Sequence, residues 1–301
     1  MKATRARRLV SSSLSALVLG LSAACSCSAR EEKTAAEGTP AKGGDVVAQP
    51  AEAKVEPGRG DYVTPPTPQN RPSRLHKAAN AGNAEQIALY LSEKDDPNPQ
   101  LVDGLTPLHV AVGARFTDCV EALLEGGADP NRKQAAGATP LHIAIQNADL
   151  AIARLLIEKG ADVNAAEGSG ITPLLTLCVA GFPFEPADRL SLAELLLEKG
   201  ADLNAQSKEG STPVIAAAHF ELPALVKLFI EKGANLEIEG DLKNRALHMA
   251  ALQQNLEICK LLVEAGADVN CRNQDNASPI AISAHLENSE LVQYFQENGA
   301  E

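Results

Sequence analysis

Between Ala138 and Ala165 the chain reads ATPLHIAIQNADLAIARLLIEKGADVNA, and its apolar positions fall into two groups either side of a polar break. Leu141, Ala144 and Ile145 recur at helical spacing. After Gln146-Asn147-Ala148-Asp149 the spacing resumes with Leu150, Ile152, Leu155 and Leu156, so the pattern predicts two short helices joined by a tight turn. Thr139 suits the N-cap of the first, because its hydroxyl can take an otherwise unpaired helix amide, and Pro140 suits the first helical position, where no donor is missed. Gly160 suits the end of the second helix, where positive φ is needed. The stretch ADVNAAEGSG that follows reads as an exposed turn.

This pattern recurs. The Leu before the His has counterparts at Leu75, Leu108, Leu141 and Leu174 at steps of 33, then one step of 40 to Val214 and two more of 33 to Leu247 and Ile280. A second marker, GGADPN at 126–131, KGADVN at 159–164, KGADLN at 199–204, KGANLE at 232–237 and AGADVN at 265–270, keeps a fixed offset from the first. Two markers in phase over seven units define a repeat protein, in which no unit can bury its apolar face alone and neighbours must stack.

The period of 33 with T-P-L-H-x-A and L-L-x-x-G-A-D-x-N resembles the ankyrin repeat, over residues 71–301. The resemblance implies an all-α solenoid of about seven helix-turn-helix units with protruding finger turns. It also implies a concave surface lined by first helices and fingers, and protein binding rather than catalysis. The units lie near 71–103, 104–136, 137–169, 170–209, 210–242, 243–275 and 276–301. Several positions depart from the pattern: Arg245-Ala246 replaces Thr-Pro, Leu175, Ile215 and Ala281 replace the His, and Lys243 and Asn276 replace the finger Gly. The units concerned are expected to be less regular.

The N-terminus has another character. Four basic residues in MKATRARR precede the apolar and small-residue run LVSSSLSALVLGLSAA, which predicts a signal peptide over 1–24. The small residues before Cys25 resemble a bacterial lipoprotein processing site, which implies lipidation of Cys25 and a lipid-anchored, exported protein of the cell envelope. Ser26 resembles the outer-membrane sorting pattern, with the chain facing the periplasm; the alternative is ordinary cleavage and a secreted or periplasmic soluble protein. Ser22 stands three before the Cys, where the pattern usually has an aliphatic residue. Residues 25–70 are rich in Ala, Glu, Pro and Gly and poor in large apolar side chains, so they read as a disordered tether. The Arg59-Gly60-Asp61 tripeptide within it is a chance match to an adhesion motif.

Charge and composition narrow the function. The net charge is −12, and loss of the four basic leader residues leaves −16. Such a surface repels phosphate backbones, and the chain has no Trp for base stacking, so nucleic acid is excluded and a basic protein partner fits better. Of the cysteines beyond the leader, Cys119 and Cys178 read as buried small hydrophobes too far apart for a disulfide, whereas Cys271, on a finger, is expected to be reactive. His76, His109, His142 and His248 stand at the motif position, where the resemblance implies a bond from the ring to the backbone of the next unit. His219 and His285 are two units apart and cannot share a metal. No phosphate loop, nucleophile elbow or carboxylate pair is present, so no enzyme, cofactor, metal or small-molecule substrate is expected.

The candidate contact residues come from comparing units. The two positions after the small pair of the first helix read Asn80-Ala81, Gly113-Ala114 and Gln146-Asn147 in units one to three. In units five to seven they read His219-Phe220, Leu252-Gln253 and His285-Leu286, which predicts an apolar stripe on the concave face; the alternative is that curvature or the short terminal unit buries Phe220 and Leu286 as ordinary core. Glu237, Glu239 and Asp241 are expected to rim it, and Phe182 and Phe184, in the seven residues added to unit four, to form a second contact bulge; the alternative is that the two Phe fold back to cover the neighbouring helices. The function expected is that of a membrane-tethered interaction module. The alternative is a periplasmic inhibitor or immunity protein whose acidic groove neutralises a cationic enzyme or toxin.

Overall fold

The computed structural model describes residues 72–179 and 181–301. The signal peptide, Cys25 and the tether lie outside the described residues. Fourteen α-helices follow in pairs, and no strand occurs among the described residues. Unit one pairs Arg74–Asn80 with Ala84–Ser92, unit two Pro107–Gly113 with Thr117–Glu125, and unit three Pro140–Gln146 with Leu150–Glu158. Unit four pairs Pro173–Cys178 with Pro186–Glu198, and unit five Pro213–His219 with Pro223–Glu231. Unit six pairs Ala246–Leu252 with Leu256–Glu264, and unit seven Pro279–His285 with Ser289–Glu297.

Local chemistry sets the boundaries. Thr106, Thr139, Thr172, Thr212 and Ser278 are extended N-caps, each followed by Pro at the first helical position. Second helices end before Gly127, Gly160, Gly200, Gly233, Gly266 and Gly299, whose φ values lie between 84° and 91°. Between the helices of units two, three, five, six and seven the corner residue is also left-handed but not glycine: Arg115, Ala148, Glu221, Gln254 and Glu287 have φ between 52° and 61°.

Stacking builds one continuous core. The marker column Leu75, Leu108, Leu141, Leu174, Val214 and Leu247 is buried, and so is the second-helix column Leu123, Leu156, Leu196, Phe229, Leu262 and Phe295. First helices pack on one another more closely than second helices do, which puts the first-helix row on the inside of the curve.

The motif histidines tie units together. Nε2 of His76, His109, His142 and His248 bonds the carbonyl oxygens of Leu105, Ala138, Ile171 and Ala277 in the next unit, at 3.0, 3.4, 3.1 and 3.1 Å. In three of the four, Nδ1 lies 2.8–2.9 Å from the hydroxyl of the cap residue. Fingers meet through backbone bonds such as Ala135 N–H to Asp103 O (2.7 Å) and Gly168 N–H to Ala136 O (2.9 Å). At Gly137, with φ 89°, a Cβ would lie 2.6 Å from Gly168 N, so a side chain has no room.

Irregularity is narrower than the sequence suggests. Unit six keeps a seven-residue first helix despite Arg245-Ala246, and Lys243 and Asn276 take up the left-handed finger conformation with φ 59°. The visible departures are the helices of unit four, six residues in the first and thirteen in the second, and the 3₁₀ turn Asp241–Lys243.

Candidate functional site

The predicted stripe lies where the first helices of units five to seven end. Phe220, Leu252 and Leu286 are half-buried against the core, while His285 is exposed. His219 and Phe220 meet edge to face, with centroids 4.8 Å apart and an interplanar angle of 82°. Gln253 Nε2 lies 3.2 Å from His219 Nδ1, so units five and six are joined at the stripe and the imidazole carries its proton on Nε2. Burial holds the His219 pKa below its ordinary value, against the opposing pull of Glu221. The ring is therefore neutral at pH 7.

Predicted rim residues behave differently from free carboxylates. Arg245 stands at the N-cap of unit six and pairs through Nη1 with Glu237, through Nη2 with Glu239 (3.6 Å), and through Nη1 with Asp268 (3.7 Å). Two of the three proposed rim carboxylates are thus partly neutralised. Asp241 is half-buried at the start of the 3₁₀ turn.

Two expectations need correction. Cys271 is 4% exposed, and burial pushes its thiol up to about 12. Its Sγ lies 3.6 and 3.8 Å from the two ring nitrogens of His248, over a ring already bonded at both, so it is an inert packing group rather than a reactive finger thiol. Second, the groove floor is not acidic. None of the seven first helices contains Asp or Glu, and their only Lys and Arg are Arg74 and Lys77 of unit one.

The insertion of unit four also folds differently from a free-standing bulge. Phe182 and Phe184 are half-buried and packed against the core. The cause is Arg189, 8% exposed, whose Nη1 donates to Leu177 O (2.9 Å) and Val179 O (3.2 Å) and whose Nη2 donates to Phe182 O (3.2 Å). Its guanidinium also lies 5.3 Å from the Phe184 ring centroid. The cation thus satisfies carbonyls at the end of the shortened helix and draws the loop inward.

Sequence reasoning missed a depression on the corner edge between units one and two, lined by Gly82, Arg115, Phe116, Thr117, Asp118 and Cys119. Phe116 is 39% exposed there and occupies an N-cap position without a side-chain cap bond. An aromatic where units one, three, six and seven carry Asn83, Asp149, Asn255 and Asn288 was the available signal. Among the described residues, no group of three or more His, Cys, Asp or Glu side chains is placed to hold a metal ion.

Comparison with known proteins agrees with this architecture. The family model described as Ankyrin repeats (3 copies) matches residues 75–167, 185–273 and 247–301. Among solved structures, the human ASB11 ankyrin repeat domain is 26% identical, with a TM-score of 0.61, over 76% of this chain and 99% of that one. The ankyrin repeat domain of Bcl-3, described as a unique member of the IkappaB protein family, is also 26% identical, with a TM-score of 0.63, over 75% and 98%. A search of curated protein sequences returned no match.

Proposed function

This chain belongs to the ankyrin repeat family, and from that premise we propose that it is an exported, lipid-anchored module that binds another protein through the concave face of units five to seven. Ankyrin repeats are generally protein–protein interaction modules and typically non-catalytic scaffolds. The observation that carries the finer reading is the aligned series His219-Phe220, Leu252-Gln253 and His285-Leu286. It puts large side chains on the inner row where units one to three have Asn, Gly, Ala and Gln. Half-buried apolar groups aligned across neighbouring units can lose their remaining exposure to a partner while the solenoid stays as it is.

Anchoring rests on sequence: the basic start, the apolar run and the small residues before Cys25. Cys25→Ser is expected to move the protein from the membrane fraction to the soluble one. Fractionation that does not change would rule out the lipid anchor. For the binding face, Phe220→Ala with Leu252→Ala should weaken a partner by at least about 2 kcal/mol. Unchanged partner binding by a double variant with a native helical spectrum would remove this surface from consideration.

A further inference from the structure

Charge on this solenoid is sorted by row, and the sorting bears on what the concave face can hold. Carboxylates occupy the corners and first turns of the second helices, as Asp118, Asp149, Glu221 and Glu287 do, and the ends of second helices, as at Glu158 and Glu198. The inner row has none. Beyond unit one it has no Lys or Arg either, and its half-exposed members, Val110, Ile143, Leu252 and Ile280, are apolar apart from His219. A Lys or Arg of a partner lowered onto that row would lose water and find no carboxylate within the row itself, the nearest being Glu221 and Glu287 at the corners beside it, which disfavours a buried cation there.

The polar groups at the stripe point the same way. His219 is neutral, accepts from Gln253 at Nδ1 and keeps its Nε2 proton without a described protein partner, so it offers one neutral donor. An uncharged acceptor such as a backbone carbonyl matches it. Phe220, Leu252 and Leu286 beside it offer apolar surface.

We propose that the concave floor of units five to seven seats an uncharged, largely apolar segment of a partner protein, and that the carboxylate-rich edges do not hold it there. This rests on the reading above that the partner binds at these units. In energetic terms the acidic edges can speed encounter with a basic protein, while the lifetime of the complex is set by the neutral floor.

The probe is a display library of short random peptides, panned on the full chain at about 0.05 M salt and washed at about 0.5 M, where the Debye length falls to roughly 4 Å. Counter-selection uses the Phe220→Ala/Leu252→Ala double variant and, separately, His285→Ala, an exposed position that leaves the core intact. Peptides kept by the native chain and lost by either variant are expected to lack Lys and Arg, and to change in retention by less than about twofold between the two salt conditions. Discriminating peptides that are rich in Lys and Arg, and that fall about tenfold or more at high salt, would overturn the proposal while leaving the binding face in place. A library in which no peptide distinguishes the native chain from either variant would instead sink the binding face itself, and the proposal with it.

Discussion

At the level of single residues, two conformational choices decide local stability. In every unit but the fourth the corner residue has φ between 52° and 69°, and Ala148 occupies one such corner with φ 52°. A left-handed Ala costs about 1–2 kcal/mol, whereas the extra unfolded-state freedom of glycine costs about 0.5–1 kcal/mol. The first effect is larger, so Ala148→Gly should stabilise the protein by about 0.5–1 kcal/mol, read as a raised urea midpoint. The second choice is the neutral histidine. His109 is pushed down to about 4, first by burial, with its bond to Ala138 O opposing, and His76, His142 and His248 shift the same way. Their Nδ1 atoms accept backbone N–H groups of Ser73, Thr106, Thr139 and Arg245, an arrangement that a proton at Nδ1 would destroy. Below the ordinary value near 6.5 the unfolded chain takes up protons that the folded chain refuses, so stability is full above that value and declines as pH falls towards about 4. Urea midpoints at pH 7.5 and 5 should show the decline. His142→Leu, which copies what unit four does at Leu175, should reduce its slope; an equal slope would mean that carboxylates alone are responsible.

At the level of elements, the interesting residue is the Asn that closes the second marker. Asn98 and Asn131 each donate through Nδ2 to the carbonyl of the next unit's terminal glycine, Gly127 and Gly160, at 3.4 and 3.1 Å. Their Oδ1 atoms accept from Asp129 N–H and Asp162 N–H at 2.8 and 2.7 Å. Asn164 and Asn270 repeat both bonds, and Glu237 keeps only the accepting half at Asp268 N–H, its other oxygen being held by Arg245. Asn131→Ala removes both bonds at a unit junction where water can reach the freed groups, and should cost about 1 kcal/mol in equilibrium unfolding. Arg189→Met removes the donor from three carbonyls and the lid over Phe184, with an expected cost of about 3 kcal/mol or more; a loss under about 1 kcal/mol would show the insertion to be held by its apolar contacts alone. The helices, their caps and the period were legible because they depend on residue type at fixed spacing. The Asn ladder was visible as a recurring letter but not as a bond, since its partners lie in the next unit. The inward fold of Phe182 and Phe184 was one of two readings the sequence left open, and what decides it, Arg189 bonded to three carbonyls, carries no mark in the sequence. Cys271 was misjudged because its position on a finger suggested exposure, whereas that position packs onto the motif His.

For the whole molecule, the repeat makes stability a sum of units and junctions, so a chain starting near residue 71 should fold by itself, with a helical circular-dichroism spectrum and a cooperative melt. The first unit is closed by Arg74, which pairs with Glu93 and Asp95 and lies 4.4 Å over the Tyr90 ring, and these exposed pairs contribute little. Net charge carries more weight. Residues 1–71 hold 7 of the 39 acidic and 10 of the 27 basic residues, leaving 32 against 17 in the repeats, a net charge of −15. The corner edge concentrates the excess. Every unit places at least one carboxylate there, among them Glu85, Glu185, Asp188, Glu257 and Glu290, while Arg115, 3.4 Å from Asp149, offsets one of them. Successive units stack about 10 Å apart, comparable to the Debye length at 0.1 M salt, so these carboxylates repel one another at low ionic strength and are screened at high. Salt also weakens the ion pairs of Arg74 and Arg245, but exposed pairs of that kind are worth about 0–1 kcal/mol each. Repulsion along seven units is the larger effect. Raising sodium chloride from about 0.05 to 0.5 M should therefore increase the melting temperature of the repeat domain by a few degrees, about 1–2 kcal/mol at roughly 2–4 °C per kcal/mol. A melting temperature that falls with salt would show that the Arg74 and Arg245 networks, rather than the acidic edge, dominate the electrostatics of the fold.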